Sequence, residues 1–129
     1  MTQRVLFLDD SAERLELARA AFECTTVDTA ERAIAELRRV HDLGEGFDVV
    51  YLDHDLGDQF MIAAGTPGHG GDVVDWIVQH EPRIELVVIH SMNAPAAERM
   101  HASLTRAGYA ARRVPFTMLV ASWRAAGGG

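Results

Sequence analysis

The chain has 129 residues, 12 basic against 19 acidic side chains and a net charge of −7, and its one cysteine excludes an intrachain disulfide. Hydrophobic residues make up 48% and charged residues 24%, which is typical of one globular domain and excludes a disordered chain. The acidic balance argues against non-specific binding to DNA or to an anionic membrane. We expect a cytoplasmic protein, because the sequence shows no signal peptide or membrane helix.

Predicted strands and helices alternate from the start of the chain. The apolar run at residues 5–8 predicts a strand buried on both faces, and residues 11–23 predict a helix capped by Ser11. Residues 24–27 predict a weak second strand, and a second helix begins with Asp28 as its cap. A third buried strand is predicted at 47–52.

The second half of the chain continues the alternation after a long glycine-rich segment without periodicity, which is typical of a functional loop. Helices are predicted at 72–80, 95–107 and 115–123, and strands at 86–89 and 109–114. This order predicts an α/β fold: one flavodoxin-like, doubly wound parallel sheet of five strands in the order 2-1-3-4-5. Residues 1–126 would form the domain and residues 127–129 a flexible glycine tail.

Polar residues follow three of the strands directly: Asp9 and Asp10 the first, Asp53, His54 and Asp55 the third, and His90 and Ser91 the fourth. In an open parallel sheet, ligands bind beyond the carboxyl ends of the strands. Adjacent strands lie about 4.8 Å apart, so the acids would converge, and like charges that close require neutralisation by a cation. Oxygen ligands favour Mg²⁺, and histidines beside them favour Mn²⁺. A single acid of this kind could instead be only a helix cap.

An acidic pair after the first strand and an aspartate after the third resemble a two-component receiver domain. In that resemblance Asp53 stands at the phosphoacceptor position, Ser91 at the position of the conserved hydroxyl residue, and Pro115-Phe116 after the fifth strand. Receivers carry a lysine just before that proline, whereas this chain has Val114 there and contains no lysine. Arginine is not an equivalent point charge, which weakens the phosphoacceptor interpretation.

Four segments resemble a narrower family, the cyclic-phosphate processing receiver-like domain, a divergent branch of the receiver superfamily. They are LFLDD with Arg14 after it, YLDHDLG, GGDVVDWI and VVIHSMNAPAAERM. The resemblance implies a metal-dependent phosphoesterase that acts on a cyclic phosphate, in a cyclic nucleotide or at the 2′,3′-cyclic end of an RNA. A small phosphorylated ligand or an RNA end is the partner this implies, and the oligomeric state is left open.

The resemblance gives each polar residue an expected role. Asp9, Asp10, Asp53 and Asp55 would bind the metal, and His90 and His54 would join Asp53 as catalytic residues. Expected phosphate ligands are Ser91, Asn93, Arg14, Arg99, Gly71 and His69.

Four alternatives remain at this stage. His54 could only orient a carboxylate, and Arg14 could pair with glutamates on an exposed helix face. The whole domain could act as a receiver phosphorylated on Asp53, or as a module that binds a phosphorylated ligand or partner without hydrolysis.

Overall fold

The structure is a computed structural model that describes residues 3–54 and 69–127. Across these two ranges, five strands alternate with five helices. The strands are β1 (Val5–Leu8), β2 (Thr25–Val27), β3 (Gly46–Leu52), β4 (Arg83–Ile89) and β5 (Ala111–Arg113). The helices are α1 (Ala12–Ala21), α2 (Ala30–Asp42), α3 (Gly70–His80), α4 (Ala94–Arg106) and α5 (Phe116–Gly127). None of the described helices is long and apolar enough to cross a membrane.

The five strands form one parallel sheet in the order β2-β1-β3-β4-β5, which confirms the predicted flavodoxin-like fold. Leu8 of β1 pairs with Leu52 of β3, and Leu52 pairs in turn with Ile89 of β4. The carboxyl ends of the three central strands therefore stop at the same level of the sheet. The residue that follows each strand lies in one row along this edge.

Two apolar layers cover the sheet because side chains alternate between its faces. On one face, Leu6 and Leu8 pack with residues of α2, α3 and α4. On the other face, Phe7 packs with residues of α1 and α5. These clusters fix which helices flank each side of the strand ends, and therefore what surrounds each functional side chain.

The element boundaries differ from prediction at several places. β4 begins at Arg83 instead of 86, because Ile84 is buried between exposed neighbours and so continues the strand. Thr29, not Asp28, caps α2 by accepting a hydrogen bond from Arg32 N.

β5 is Ala111–Arg113, shorter than the predicted 109–114, and α1 ends at Ala21 instead of 23. Two further differences concern α3 and α5. α3 begins at Gly70, ahead of the predicted start at Asp72, because His69 caps it by accepting from Gly71 N. α5 continues past the predicted end at Trp123 to Gly127.

Gly70 is where α3 meets the end of β3, with Gly70 N donating to His54 O at 2.9 Å. A Cβ at this position would overlap the carbonyl oxygen of Asp53. We expect Gly70→Ala to lower the free energy of unfolding by about 1–3 kcal/mol in urea titrations, although alanine is the better helix former. Gly71→Ala is the comparison variant: its Cβ approaches the His69 side chain and no backbone atom at less than 3.8 Å, so we expect it to cost less stability than Gly70→Ala even though the capping His69 ring must shift. Unchanged or greater stability of Gly70→Ala would contradict this placement of α3.

Candidate functional site

Three polar residues extend the central strands by one position each. Asp9 N donates to Val27 O, Asp53 N to Leu8 O and His90 N to Leu52 O, at 3.1, 3.2 and 3.0 Å. The ladder of backbone hydrogen bonds thus holds all three residues in the row beyond the strands. By alternation they share the face of Phe7, which is the side of α1 and α5.

The side chains of Asp9, Asp53 and His90 meet on this face and are here called the Asp–His cluster. One potential ligand atom from each residue lies within 4.8 Å of the others. The exposed fractions are 0% for Asp9, 6% for Asp53 and 0% for His90. Such a buried pair of carboxylates is costly unless hydrogen bonds or a cation neutralise it.

Asp9 is the carboxylate that the protein itself stabilises. Its Oδ2 atom lies 3.0 Å from His90 Nε2 and 3.5 Å from Arg14 Nη1, and its Oδ1 accepts from Ser11 N at 2.9 Å. Burial opposes ionisation of Asp9, but the hydrogen bond from His90, the Ser11 amide and the Arg14 charge together hold its pKa below the ordinary value. Asp9 is therefore ionised at neutral pH.

The pKa of Asp53 is shifted in the opposite direction to that of Asp9. Burial, and then the negative charges of Asp9 and Asp10, raise the pKa of Asp53 from 3.8 to about 7, although His54 N donates to its Oδ1 at 2.8 Å. Near neutral pH this carboxyl is thus poised between its two protonation states. A bound cation would offset the repulsion from the neighbouring carboxylates and keep Asp53 ionised.

His90 is fixed by packing as well as by Asp9. Its ring stacks on Phe7 with ring centroids 4.8 Å apart, and Phe116 lies at 6.1 Å. Burial lowers the pKa of His90, more than the hydrogen bond with Asp9 raises it, so the ring is neutral. We assign the proton to Nε2, which donates to Asp9. Nδ1 then carries a lone pair, and it has no hydrogen-bond partner among the residues that the structure describes.

Arg14 brings a positive charge to the rim of the Asp–His cluster. Its guanidinium carbon lies 4.7 Å from the centroid of the Phe116 ring, and its side chain is 30% exposed. The contacts with Asp9 and Phe116 hold the guanidinium towards the strand ends, and its exposed part is open to a ligand. The alternative of pairing only with surface glutamates is not what the structure shows.

His54 lies on the other face of the sheet from the Asp–His cluster. It directly follows Asp53, so alternation turns its side chain towards α3 and α4. Its ring stacks on His69 with centroids 4.4 Å apart, and its Nδ1 lies 3.5 Å from Asn93 Nδ2. The two histidines expected to share catalysis, His90 and His54, are therefore separated by the sheet edge.

A groove of about 200 Å³ adjoins His54 and is here called the α3–α4 groove. It is lined by His54, His69, Gly71, Val74, Asp75, Ala96, Arg99, Met100 and Ser103. Of the described residues that line it, none belongs to the Asp–His cluster. Three expected phosphate ligands, His69, Gly71 and Arg99, thus lie together, but in a separate depression.

The other expected site residues have these positions. Asp10 is exposed and outside the group of three, although its charge contributes to the raised pKa of Asp53. Ser91 accepts from Asn93 N, and Asn93 accepts from Ala96 N, so both fix the start of α4. Asp55 lies outside the described residues. The assigned functions of these residues remain predictions.

Sequence reasoning missed the residues that complete the two sites. Phe7 supports His90, but within its apolar run it is indistinguishable from an ordinary core residue. Phe116 was noticed only as part of the receiver pattern, and its contact with Arg14 was not foreseen. Asp75 and Ser103 line the groove one helical turn after Gly71 and Arg99, and this four-residue spacing could have revealed them.

The parallel order 2-1-3-4-5, with acidic residues at the carboxyl edge, defines the class of receiver-like α/β domains. Solved structures agree on the fold. The signal receiver domain of a protein described as a Luxo repressor, from Vibrio parahaemolyticus, is 21% identical, with TM-score 0.61 over 95% of this chain and 87% of that one. A two-component response regulator from Cytophaga hutchinsonii is 16% identical, with TM-score 0.62, and the alignment covers 95% of this chain and 93% of that one.

The family follows from the sequence match. The family model of the cyclic-phosphate processing receiver domain matches residues 4–106, and this chain belongs to that family. The match includes β1, β3, β4 and the whole Asp–His cluster. No curated protein sequence matches the chain.

The raised pKa of Asp53 predicts a pH-dependent stability. Because its folded-state pKa is about 7 against 3.8 for the ordinary group, metal-free protein loses stability as the pH rises through this window. Asn cannot ionise, so in EDTA at pH 8 Asp53→Asn should be more stable than the parent by at least about 1 kcal/mol, or roughly 3–6 °C in Tm. Thermal unfolding from pH 4 to 8 measures this.

The control for this experiment is Asp42→Asn, at an exposed position at the end of α2. It should leave the pH profile of the parent unchanged. If Asp53→Asn and the parent had the same dependence of Tm on pH, Asp53 would not be the buried titrating group.

Proposed function

We propose that this chain is a metal-dependent phosphoesterase that opens a cyclic phosphate, in a cyclic nucleotide or at the 2′,3′-cyclic end of an RNA. One observation carries the proposal: the buried Asp–His cluster at the ligand-binding edge of a chain from the cyclic-phosphate processing receiver family. The likeness to receiver structures supports the fold alone, so the reaction is argued from the residues of this chain.

The Asp–His cluster fits a hard divalent ion, Mg²⁺ or Mn²⁺. Asp9 and Asp53 would hold the ion, because a cation relieves the repulsion that raises the pKa of Asp53. The imidazole beside them shifts the preference towards Mn²⁺. Asp10 and Asp55 are retained as further candidate ligands. When bound, the ion would neutralise phosphate oxygens and make a water molecule more acidic.

Arg14 would position the phosphate beside the two carboxylates. Its guanidinium is already held by Asp9 and the Phe116 ring, so little side-chain entropy is lost when it donates to a phosphate oxygen. A planar fork of donors suits the two non-bridging oxygens of a phosphodiester. Arg14 is thus the phosphate ligand of this face.

His90 would accept the proton of the attacking water. Nε2 is the ring atom that faces the Asp–His cluster, whereas Nδ1 is buried. Once an ion holds Asp9, the ring would accept the water's proton at Nε2, and the ionised Asp9 would stabilise the resulting imidazolium. The oxygen of water forms a bond to phosphorus, one ring P–O bond breaks, and the leaving alkoxide takes the proton that His90 received from the water, which gives a phosphate monoester and restores the neutral imidazole. His90 is assigned this step in preference to His54, which lies across the sheet edge.

Turnover of cyclic nucleotides tests the proposal directly. With Mg²⁺ or Mn²⁺, the full chain should convert a 2′,3′- or a 3′,5′-cyclic nucleotide to a monophosphate, and EDTA should stop the reaction. His90→Gln should lower kcat about 10²–10⁴-fold by removing the proton acceptor, and Asp53→Asn should abolish metal-dependent turnover. Chromatography of the products measures both effects.

Asp42→Asn should retain the parent activity, since its side chain lies outside the site. Protein that binds the metal but turns over neither class of cyclic nucleotide, nor an RNA with a 2′,3′-cyclic end, would remove the hydrolase proposal.

Metal affinity should follow the ionisation of Asp53. Because the pKa of Asp53 is about 7, its carboxylate is scarce at pH 6 and abundant at pH 8. We expect Mn²⁺ to bind roughly tenfold more tightly at pH 8 than at pH 6 when measured by calorimetry. Asp53→Asn should bind weakly at both values. Equal affinity of the parent at pH 6 and pH 8 would contradict the role of Asp53.

The alternative function is a phosphoacceptor or non-catalytic receiver module. Asp53 directly follows β3, as the receiver phosphoacceptor follows its strand, which favours this candidate, but the chain contains no lysine. Incubation with acetyl phosphate and Mg²⁺ separates the two functions. A mass increase of one phosphate that Asp53→Asn abolishes would favour the receiver function, whereas the hydrolase proposal expects unmodified protein.

A further inference from the structure

The residues that line the α3–α4 groove are not those expected of a phosphate site. Asp75 contributes a carboxylate to its lining, which would repel an anion. The amide of Gly71, expected to contact phosphate, already donates to His69 Nδ1 at 2.9 Å. Phosphate binding at the start of α3 is therefore disfavoured by this charge and by this hydrogen bond.

The same lining suits a planar heterocycle that carries both donors and acceptors. Arg99 and Ser103 on α4 offer donors, and Asp75 on α3 offers an acceptor. Met100 and the stacked rings of His54 and His69 add polarizable surface. A few polar groups converging on an apolar wall are the usual composition of a small-molecule site.

The size of the groove agrees with one ring system. A groove of about 200 Å³ lies below the roughly 300–1,000 Å³ that is usual for sites enclosing a whole drug-sized ligand, so it suits one part of a ligand, such as a single ring system. The phosphate of such a ligand would then lie outside the groove, and Asp53 of the Asp–His cluster directly precedes the groove residue His54 in the chain.

We propose that the α3–α4 groove binds the heterocyclic base of a nucleotide whose phosphate lies at the Asp–His cluster. This inference rests on the proposed function for the position of the phosphate, and it narrows the substrate class to nucleotides. Arg99, Ser103 and Asp75 recognise the edge of the base, and the His54–His69 pair borders one end of it. The base and the phosphate are then bound on opposite faces of one sheet edge.

Nucleoside binding tests the groove without metal and without turnover. The probes are adenosine, guanosine, cytidine and uridine, with ribose and inorganic phosphate as comparison ligands, each titrated into the full chain in EDTA. We expect at least one nucleoside to bind with a Kd of about 1 mM or tighter and to shift the amide signals of Gly71, Asp75 and Ser103. Ribose and phosphate should not shift them.

Variants on α4 connect this binding to the groove. Arg99→Ala should weaken nucleoside binding about tenfold, because it removes charged donors to the base. Arg106→Ala, on the last turn of the same helix and outside the groove lining, is the matched control and should bind like the parent. If the enzyme turns over cyclic nucleotides, Arg99→Ala should raise KM and leave kcat nearly unchanged.

The outcomes separate this inference from the proposed function. The protein could bind a nucleoside through Arg99 and yet not turn over cyclic nucleotides. That result would support the base site and reject only the hydrolase proposal. Turnover by a protein that binds no nucleoside, or binds one equally well after Arg99→Ala, overturns the base site. Groove signals that respond to inorganic phosphate and to no nucleoside also overturn it.

Discussion

The site depends on the register of three parallel strands. Pairing of Leu8, Leu52 and Ile89 stops β1, β3 and β4 at one level, so the next residues of three distant segments meet in one row. Two of these residues are carboxylates, and burial forces them to share a small volume. Hydrogen bonds from His90 and Ser11 stabilise the charge of Asp9, whereas the one from the His54 amide does not prevent the pKa of Asp53 from rising. An edge built in this way favours a bound cation.

Alternation of side chains gives the sheet edge two different faces. Asp53 turns towards α1 and α5, and His54, the next residue, turns towards α3 and α4. The charged groups of Asp9 and Asp53 lie on the first face, with Arg14 at its rim. A mixed polar and apolar groove forms on the second. One strand end can thus contact two chemically different parts of the same ligand.

The fold could be predicted from the sequence. The separation of the polar residues into the Asp–His cluster on one face and the α3–α4 groove on the other could not. Alternating apolar runs and capped helices predicted the element order and the sheet, and polar residues after β1, β3 and β4 predicted the convergence of Asp9, Asp53 and His90. Alternation alone puts neighbours such as Asp53 and His54 on opposite faces, but which residues of different strands share a face depends on the register. Without the register, the polar residues after the strands appeared as one group in the sequence. The helix start at Gly70 was missed because a histidine supplies its cap.

A divalent ion held between Asp9 and Asp53 would be visible by anomalous diffraction at the manganese absorption edge, in crystals soaked in Mn²⁺ near pH 8. We expect a peak within about 2.0–2.3 Å of a carboxylate oxygen of each residue. Manganese found only on surface carboxylates, with Asp9 and Asp53 unligated, would contradict it.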